Sequence, residues 1–274
     1  MRKAFVIFFW GILVAAVASL FVFANQKQQE VTCPEFVIAI TNDGPHQLIS
    51  EQYIRQQITH AGYRIKGQRI ADIRAGEIQE LLRKNPFIRS ANITIGVNGS
   101  VKANIIQRQP LIRVFTETGR QFYIDSEGVI MPVNADFTAR VVIANGHIPD
   151  VSSKSESNGN KEVKPEKNLH PALKKVFLTA RAVKQDAFSE ALTEQIYINA
   201  TGEIELIPKL GNHTILLGDT TLLNDKLNNL KLFYKQGIRN DAWNKYVMIN
   251  LKFRDQVVCS KSTQYGTIWN NCRP

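Results

Sequence analysis

Cysteine, histidine and acidic side chains are all scarce in this 274-residue chain. Its three cysteines, Cys33, Cys259 and Cys272, are too few for a disulfide scaffold, which needs many more in a shorter chain. Cys259 and Cys272 could close a small loop in an oxidising compartment, worth about 3 kcal/mol by loop entropy, but connectivity does not follow from sequence and both states stay open. The five histidines, His46, His60, His147, His170 and His213, are isolated, with no i,i+4 pair and no cysteine at metal-ligand spacing, so no metal site is expected. Gly-x-Ser-x-Gly, Ser-x-x-Lys and glycine-rich phosphate loops are all missing, and no catalytic or cofactor-binding residue is assigned. Asp125 is the best-placed carboxylate, yet it sits in a turn, where aspartate commonly bonds its own backbone.

Asp and Glu number 24 against 34 Lys and Arg, giving a formal charge of +10 and a pI of about 9.5. The basic residues are scattered rather than clustered, and most of the chain is expected outside the cytosol, so nucleic acid is not expected as a partner. Anionic lipid headgroups, an anionic wall polymer and plain solubility are the uses left for the charge.

What the chain does have is one long apolar run. After Met1-Arg2-Lys3, residues Ala4 to Ala24 carry no charge, and as a helix they span roughly 31 Å, about the hydrocarbon thickness of a bilayer. A secretory signal has an apolar region of only about 7–15 residues, although Val22-Phe23-Ala24 would be a tolerable cleavage site. A buried core helix would need a polar face, which this run lacks. The expectation is an uncleaved transmembrane anchor with a cytoplasmic N-terminus, since Arg2 and Lys3 precede it and Lys27 follows.

Residues 25–35 are polar and aperiodic, a juxtamembrane linker. Phe36 to Ile40 reads as a strand ending in the turn cluster Thr41-Asn42-Asp43-Gly44-Pro45. Ser50 caps a first helix with Ile54, Ile58 and Ala61 on one face and Gly62 as its stop. Asp72 is expected to cap a second, with Ile78, Leu81 and Leu82 at helical spacing and Pro86 ending it. Ile93, Ile95 and Val97 then alternate with polar residues, Asn98-Gly99 reads as a tight turn, and Val101, Ala103 and Ile105 alternate again. Strand, helix, helix, strand, strand makes a small α+β unit whose sheet has one face for two amphipathic helices.

That order, with Asn85-Pro86-Phe87-Ile88, Ala91 and the junction Gln107-Arg108-Gln109-Pro110-Leu111, resembles a POTRA domain and its exit. With one N-terminal anchor it resembles the FtsQ/DivIB family of bacterial cell-division proteins. The hairpin Phe122 to Pro132, with Asp125, Gly128 and Pro132 at the family's spacing, resembles the start of that family's β domain.

Within this second domain, Leu111 to Phe115, Phe122 to Met131 and Arg140 to Ala144 read as strands. Asp150 to Asn168 has almost no large apolar residue and is expected to be a mobile insertion. Pro171 opens an amphipathic helix running to about Phe188, with Leu173, Val176, Phe177 and Ala180 inward. Strands follow at Gln195 to Asn199, Glu203 to Ile207 and Thr214 to Leu217. A helix at Thr221 to Gln236 turns Leu223, Leu227, Leu230 and Tyr234 inward. A last strand, Val247 to Val258, alternates with Val247, Ile249, Leu251 and Phe253 on the inner side. In the tail, Tyr265 and Trp269 either pack on the domain or serve a partner.

The expected organisation is an α+β protein: a cytoplasmic tail at 1–3, a transmembrane helix at 4–24, a linker at 25–36, a POTRA domain at 37–109, a β domain at 110–258 with an insertion at 150–168, and a C-terminal tail at 259–274. The resemblance implies a divisome scaffold in the cell inner membrane at the septum, its folded part periplasmic. Its implied partners are single-pass coiled-coil proteins of the FtsL and FtsB type and, through them, the septal peptidoglycan synthase complex. Asn250, Lys252, Arg254, Gln256 and Val258, on the outer side and edge of the last strand, are the candidate partner-binding residues, since an open edge accepts an extended segment by β-augmentation. Two other classes compete with this reading. A single-pass glycosyltransferase fits the sequons at Asn92, Asn98, Asn199 and Asn212, but there is no Asp-x-Asp motif. An outer-membrane assembly factor would need a tandem POTRA array or a barrel of regular alternating strands.

Overall fold

The computed structural model describes residues 10–17, 19, 31–42, 44–133, 137–150, 169–236, 246–254, 256–261 and 268–272. Residues 10–17 are helical, and most of the expected 4–24 span, like the 151–168 insertion, lies outside the described residues. Among the described residues no helix is long and apolar enough to cross a membrane. The chain divides into two compact units, ending at Arg108 and beginning at Gln109.

The first unit runs β1 (Phe36–Thr41), α1 (Glu51–His60), a 3-10 turn (Ile70–Asp72), α2 (Ala75–Arg83), β2 (Ile88–Ile95) and β3 (Val101–Gln107). Its sheet has the order β1-β3-β2, with β1 parallel and β2 antiparallel to β3. The alternation read from β3 is realised: Val101, Ala103 and Ile105 are buried, joined by Ala91 of β2, Ile54 and Ile58 of α1, and Ile78 and Leu82 of α2. Ile95 and Val97, expected on the same face, are exposed; Val97 lies in the turn beyond the end of β2.

Three local expectations need correction or refinement. Asn98 has no positive φ, so Asn98-Gly99 is not a two-residue primed turn. Gly99 donates to the Gly96 carbonyl at 2.9 Å, and Gly99 takes φ +83°, the left-handed position that closes such a loop. A Cβ there would also meet Val31 and Ile70 side chains at 2.9 Å. Asp72 does not cap α2; it ends the 3-10 turn and pairs with Arg69 at 3.0 Å. Ala61 is exposed, leaving Ile54 and Ile58 as the inward residues of α1.

Two buried amide side chains of the first unit have identifiable mechanical roles. Asn85 is buried at the end of α2, where its Nδ2 donates to Gln57 Oε1 at 2.8 Å on α1 while its Oδ1 accepts from Phe87 N at 3.0 Å. Gln107, 1% exposed, accepts at Oε1 from Leu48 N at 2.8 Å and Ile49 N at 3.1 Å, and its Nε2 donates to the His46 carbonyl at 2.7 Å. One amide thus satisfies the backbone that leads into α1, a segment with no ladder of its own.

The second unit contains β4 (Pro110–Phe115), β5 (Gln121–Asp125), β6 (Ile130–Pro132), β7 (Val142–Gly146), α3 (Pro171–Gln185), α4 (Ala187–Leu192), β8 (Thr193–Ile198), β9 (Ile204–Pro208), β10 (Thr214–Gly218), α5 (Leu223–Gln236), β11 (Tyr246–Asn250), β12 (Val257–Lys261) and β13 (Ile268–Cys272). The ten strands form one sheet in the order β13-β12-β11-β10-β9-β8-β7-β4-β5-β6. Every second residue of the central strands, among them Ile112, Ile196, Leu206, Ile215 and Ile249, joins Leu173, Val176 and Phe177 of α3 and Leu227 and Leu230 of α5 in a single core.

The helix expected to run to Phe188 breaks at Asp186, which leaves helical geometry at φ −111° and ψ 114°. Its carboxylate accepts from Ser189 N at 3.0 Å, capping α4, and from Lys231 Nζ of α5 at 2.8 Å. These bonds, that from Lys231 foremost, hold the Asp186 pKa down at about 2. At the start of α5 a buried lysine is fully satisfied: Lys226 Nζ donates to Leu217 O at 2.9 Å, Asp219 O at 3.1 Å and Asp219 Oδ1 at 2.8 Å. On the inner face of the same helix, burial pushes the Tyr234 hydroxyl up in pKa, and it lies 2.5 Å from Nε2 of buried His213.

Candidate partner-binding edge

The chemistry-bearing residues singled out from the sequence are scattered in the fold and engaged locally. Asp125 is buried, and its Oδ1 accepts from Glu127 N at 2.9 Å and Val129 N at 2.7 Å in a turn closed by Gly128 at φ +84°. This is the turn role read from the sequence. His147 pairs with Glu117 at 2.9 Å on the surface, and His170 accepts from Ala172 N at the start of α3. Among the described residues no group of His, Cys, Asp and Glu could hold a metal ion. Two of the sequons also serve as turns: Asn98 Oδ1 accepts from Ser100, and Asn199 Oδ1 accepts from Thr201 and Glu203.

The last strand expected at Val247 to Val258 is not one strand. It is two antiparallel strands, β11 and β12, with Asn250 opposite Val258 and residues 251–256 between them. Ile249 and Leu251 point inward as expected, whereas Val247 and Phe253 are exposed. The physical reason is that Lys252-Phe253-Arg254-Asp255-Gln256 alternates like a strand but contributes only one large apolar group, and Phe253 lies in the connecting loop. Nor is this region the margin of the sheet, because β12 pairs on its far side with β13, which sets Val258 opposite Asn271 and Cys259 opposite Asn270.

The five candidate residues are therefore not equivalent. Asn250 is buried, and its Oδ1 accepts from Lys252 N at 3.0 Å, so it shapes the loop. Lys252 donates to Glu203 of the neighbouring hairpin at 2.5 Å, and its stem covers Gly218, where a Cβ would meet it at 2.8 Å. Arg254 and Gln256 are exposed on the loop, Arg254 without an ion pair among the described residues. Val258 is half-buried in a strand flanked on both sides, so its backbone is committed to the sheet. The terminal strand of the sheet at this end is β13. The sequence reading left 268–272 in a tail because Ile268-Trp269-Asn270-Asn271-Cys272 has no period-2 pattern; its only strand signal is the Ile and Trp at its start. Tyr265 lies outside the described residues, while Trp269 falls on β13.

Residues 109–260, more than half of the chain, match the family described as FtsQ/DivIB, C-terminal related. The chain belongs to the FtsQ/DivIB family. Residues 31–106 match a POTRA-like domain, the span of the first unit's strand and helix order. A curated relative, the cell division protein FtsQ of Rhodothermus marinus, is 23% identical over 206 residues, covering 73% of this chain and 70% of that protein. In this FtsQ/DivIB chain the C-terminal family match ends within β12, so the terminal strand β13 lies beyond the matched residues.

Proposed function

We propose that this FtsQ/DivIB chain is a bacterial cell-division scaffold, anchored in the inner membrane by residues 4–24 with its two folded units in the periplasm at the septum. It acts by contact and carries out no covalent chemistry. The C-terminal end of its large sheet receives an extended segment of a single-pass coiled-coil partner of the FtsL and FtsB type, and through that pair engages the septal peptidoglycan synthase complex. The observation that carries this reading is the position of β13 at the end of a ten-stranded sheet in a family member. A terminal strand offers a row of N–H and C=O groups, and a partner strand satisfies them while its side chains set register. The earlier candidate edge therefore moves from Val258 to β13, and of the five earlier residues Arg254 is the one best placed to attract an acidic partner segment.

A proline scan tests the edge. Along an antiparallel strand successive N–H groups point alternately to one neighbour and the other, so of Asn270 and Asn271 one donates toward β12 and one away from it. Asn270→Pro and Asn271→Pro are compared in the full chain, with hydrogen exchange of β12 amides reporting whether the β12–β13 ladder survives. The variant that keeps the ladder should lose capture of the coiled-coil partners from solubilised membranes. Wild-type capture by that variant would refute the edge as docking site.

A further inference from the structure

We infer that the first unit docks on anionic phospholipid headgroups through a basic groove beside the point where the chain enters it, a reading that rests on the anchor proposed above. The groove encloses about 700 Å3 and is lined in part by Tyr63, Arg64, Lys66, Asp72 and Arg74. The acidic group that lines it, Asp72, and the one beside it, Glu77, are already committed. Asp72 pairs with Arg69 at 3.0 Å, and Glu77 accepts from the Tyr63 hydroxyl at 2.8 Å and pairs with Arg74 at 3.4 Å. Arg64 and Lys66 are exposed and form no ion pair among the described residues. An anion entering the groove thus meets two cations that hold no carboxylate among the described residues, while the Asp72 carboxylate in the lining is held by Arg69.

The chain path says which anion is near. Thr32 bridges to Arg69, Cys33 N donates to Gln68 O at 2.8 Å, Gly67 N donates to Cys33 O at 2.8 Å, and Ile70 N donates to Val31 O at 3.0 Å. The first described residues after the apolar run are therefore stitched to the segment that bears the groove. Only residues 25–30 separate Ala24 from Val31, a reach of at most about 25 Å. So short a tether makes the contact intramolecular, at an effective concentration on the order of millimolar. A bilayer that holds Ala24 thus presents its headgroups to Arg64 and Lys66 ahead of any free phosphate or soluble polymer.

The test uses the full chain in lipid nanodiscs, with hydrogen exchange read over residues 61–70. Protection should be greater in discs containing phosphatidylglycerol than in pure phosphatidylcholine, and should fall in 0.5 M salt, because these charges are exposed and screened within about a Debye length. Each basic side chain near an anionic leaflet is worth about a fivefold change in the docked-to-free ratio, so R64Q/K66Q should lower it about 25-fold. Both side chains are exposed, so the variant should fold, and R83Q/K84Q, at the end of α2, should change little. Equal exchange in the two disc types, or an equal loss in R83Q/K84Q, would overturn the assignment. Protection by soluble polyglycerol phosphate in place of anionic discs would move the site to a wall polymer and overturn it too. A chain that fails to co-elute with discs sinks the anchor instead. The same exchange measured with added anionic vesicles then decides the groove on its own.

Discussion

Replacing Gln107 by leucine removes the side chain that accepts from two backbone N–H groups ahead of α1. The N–H groups of Leu48 and Ile49 are buried and both donate to Gln107 Oε1. Each buried donor left without a partner costs about 1–3 kcal/mol, so the two together cost about 2–6 kcal/mol. The apolar carbons that leucine buries return about 1–2 kcal/mol. The net loss is then about 0–5 kcal/mol, and its midpoint of about 2.5 kcal/mol lowers the melting temperature of a domain of this size by roughly 10–20 °C. So that the loss is assigned to the first unit, the assay is urea unfolding of the full chain followed by hydrogen exchange of β1, β2 and β3 amides. Gln107→Glu sharpens the test. A carboxylate keeps the acceptors but sets negative charge against the His46 carbonyl, where the native Nε2 donates at 2.7 Å. Burial raises such a carboxyl above its unfolded value of about 4.3. A raised folded-state pKa means that stability is fully present below the unfolded pKa and is lost as pH rises through the folded one. Gln107→Glu should therefore lie nearer wild type at pH 4 than at pH 7. A Gln107→Leu variant as stable as wild type or more so, or a Gln107→Glu variant indifferent to pH, would refute the reasoning.

Asp186 should make the second unit acid-sensitive in a defined window: its folded pKa is held down at about 2 from 3.8, so its contribution is complete above about 4 and lost as pH falls through 2. The stability gap between wild type and Asp186→Asn should therefore shrink between pH 5 and pH 2, by no more than about 1 kcal/mol given the screening of a partly exposed pair. Arg254→Glu and Lys252→Glu should separate recruitment from folding. Arg254→Glu should slow partner association at low salt and leave thermal stability unchanged. Lys252→Glu faces Glu203 and should cost up to about 1 kcal/mol of stability as well. Equal melting temperatures for the two variants would show that the Lys252 pair contributes nothing.

The elements that could be read from the sequence are those whose local signals agreed with their tertiary setting. Ser50 accepts from Tyr53 N as an N-cap, β3 alternates without interruption, α3 buries the residues its periodicity named, and α5 buries Leu227, Leu230 and Tyr234 with Leu223 half-buried at its start. The break at Asp186 had a readable signal in Asp186-Ala187-Phe188-Ser189-Glu190, a cap followed by a polar N3 residue, but an apolar stripe that continues across it masks the break. The partner edge was harder to read for a different reason. Whether a polar segment such as 268–272 becomes a strand depends on the neighbour that offers it a ladder, and that neighbour, β12, had been merged with β11 by the misleading alternation of 252–256. Lys226 left no trace beyond its place among leucines, since a buried lysine is defined by the carbonyls that converge on it.

The order of the large sheet also sets an order in time. Its inner strands include parallel pairs, β4 with β7, β7 with β8 and β10 with β11, each waiting on a crossover. β13 follows every one of them in the chain and pairs only with its immediate predecessor, β12. A nascent polypeptide emerging N-terminus first delivers this strand after all the others, and it has nothing to pair with until they are in place. On the function proposed above, the recruiting edge is thus withheld until residue 272 has been made, so a stalled or clipped chain would lack the surface that meets a partner.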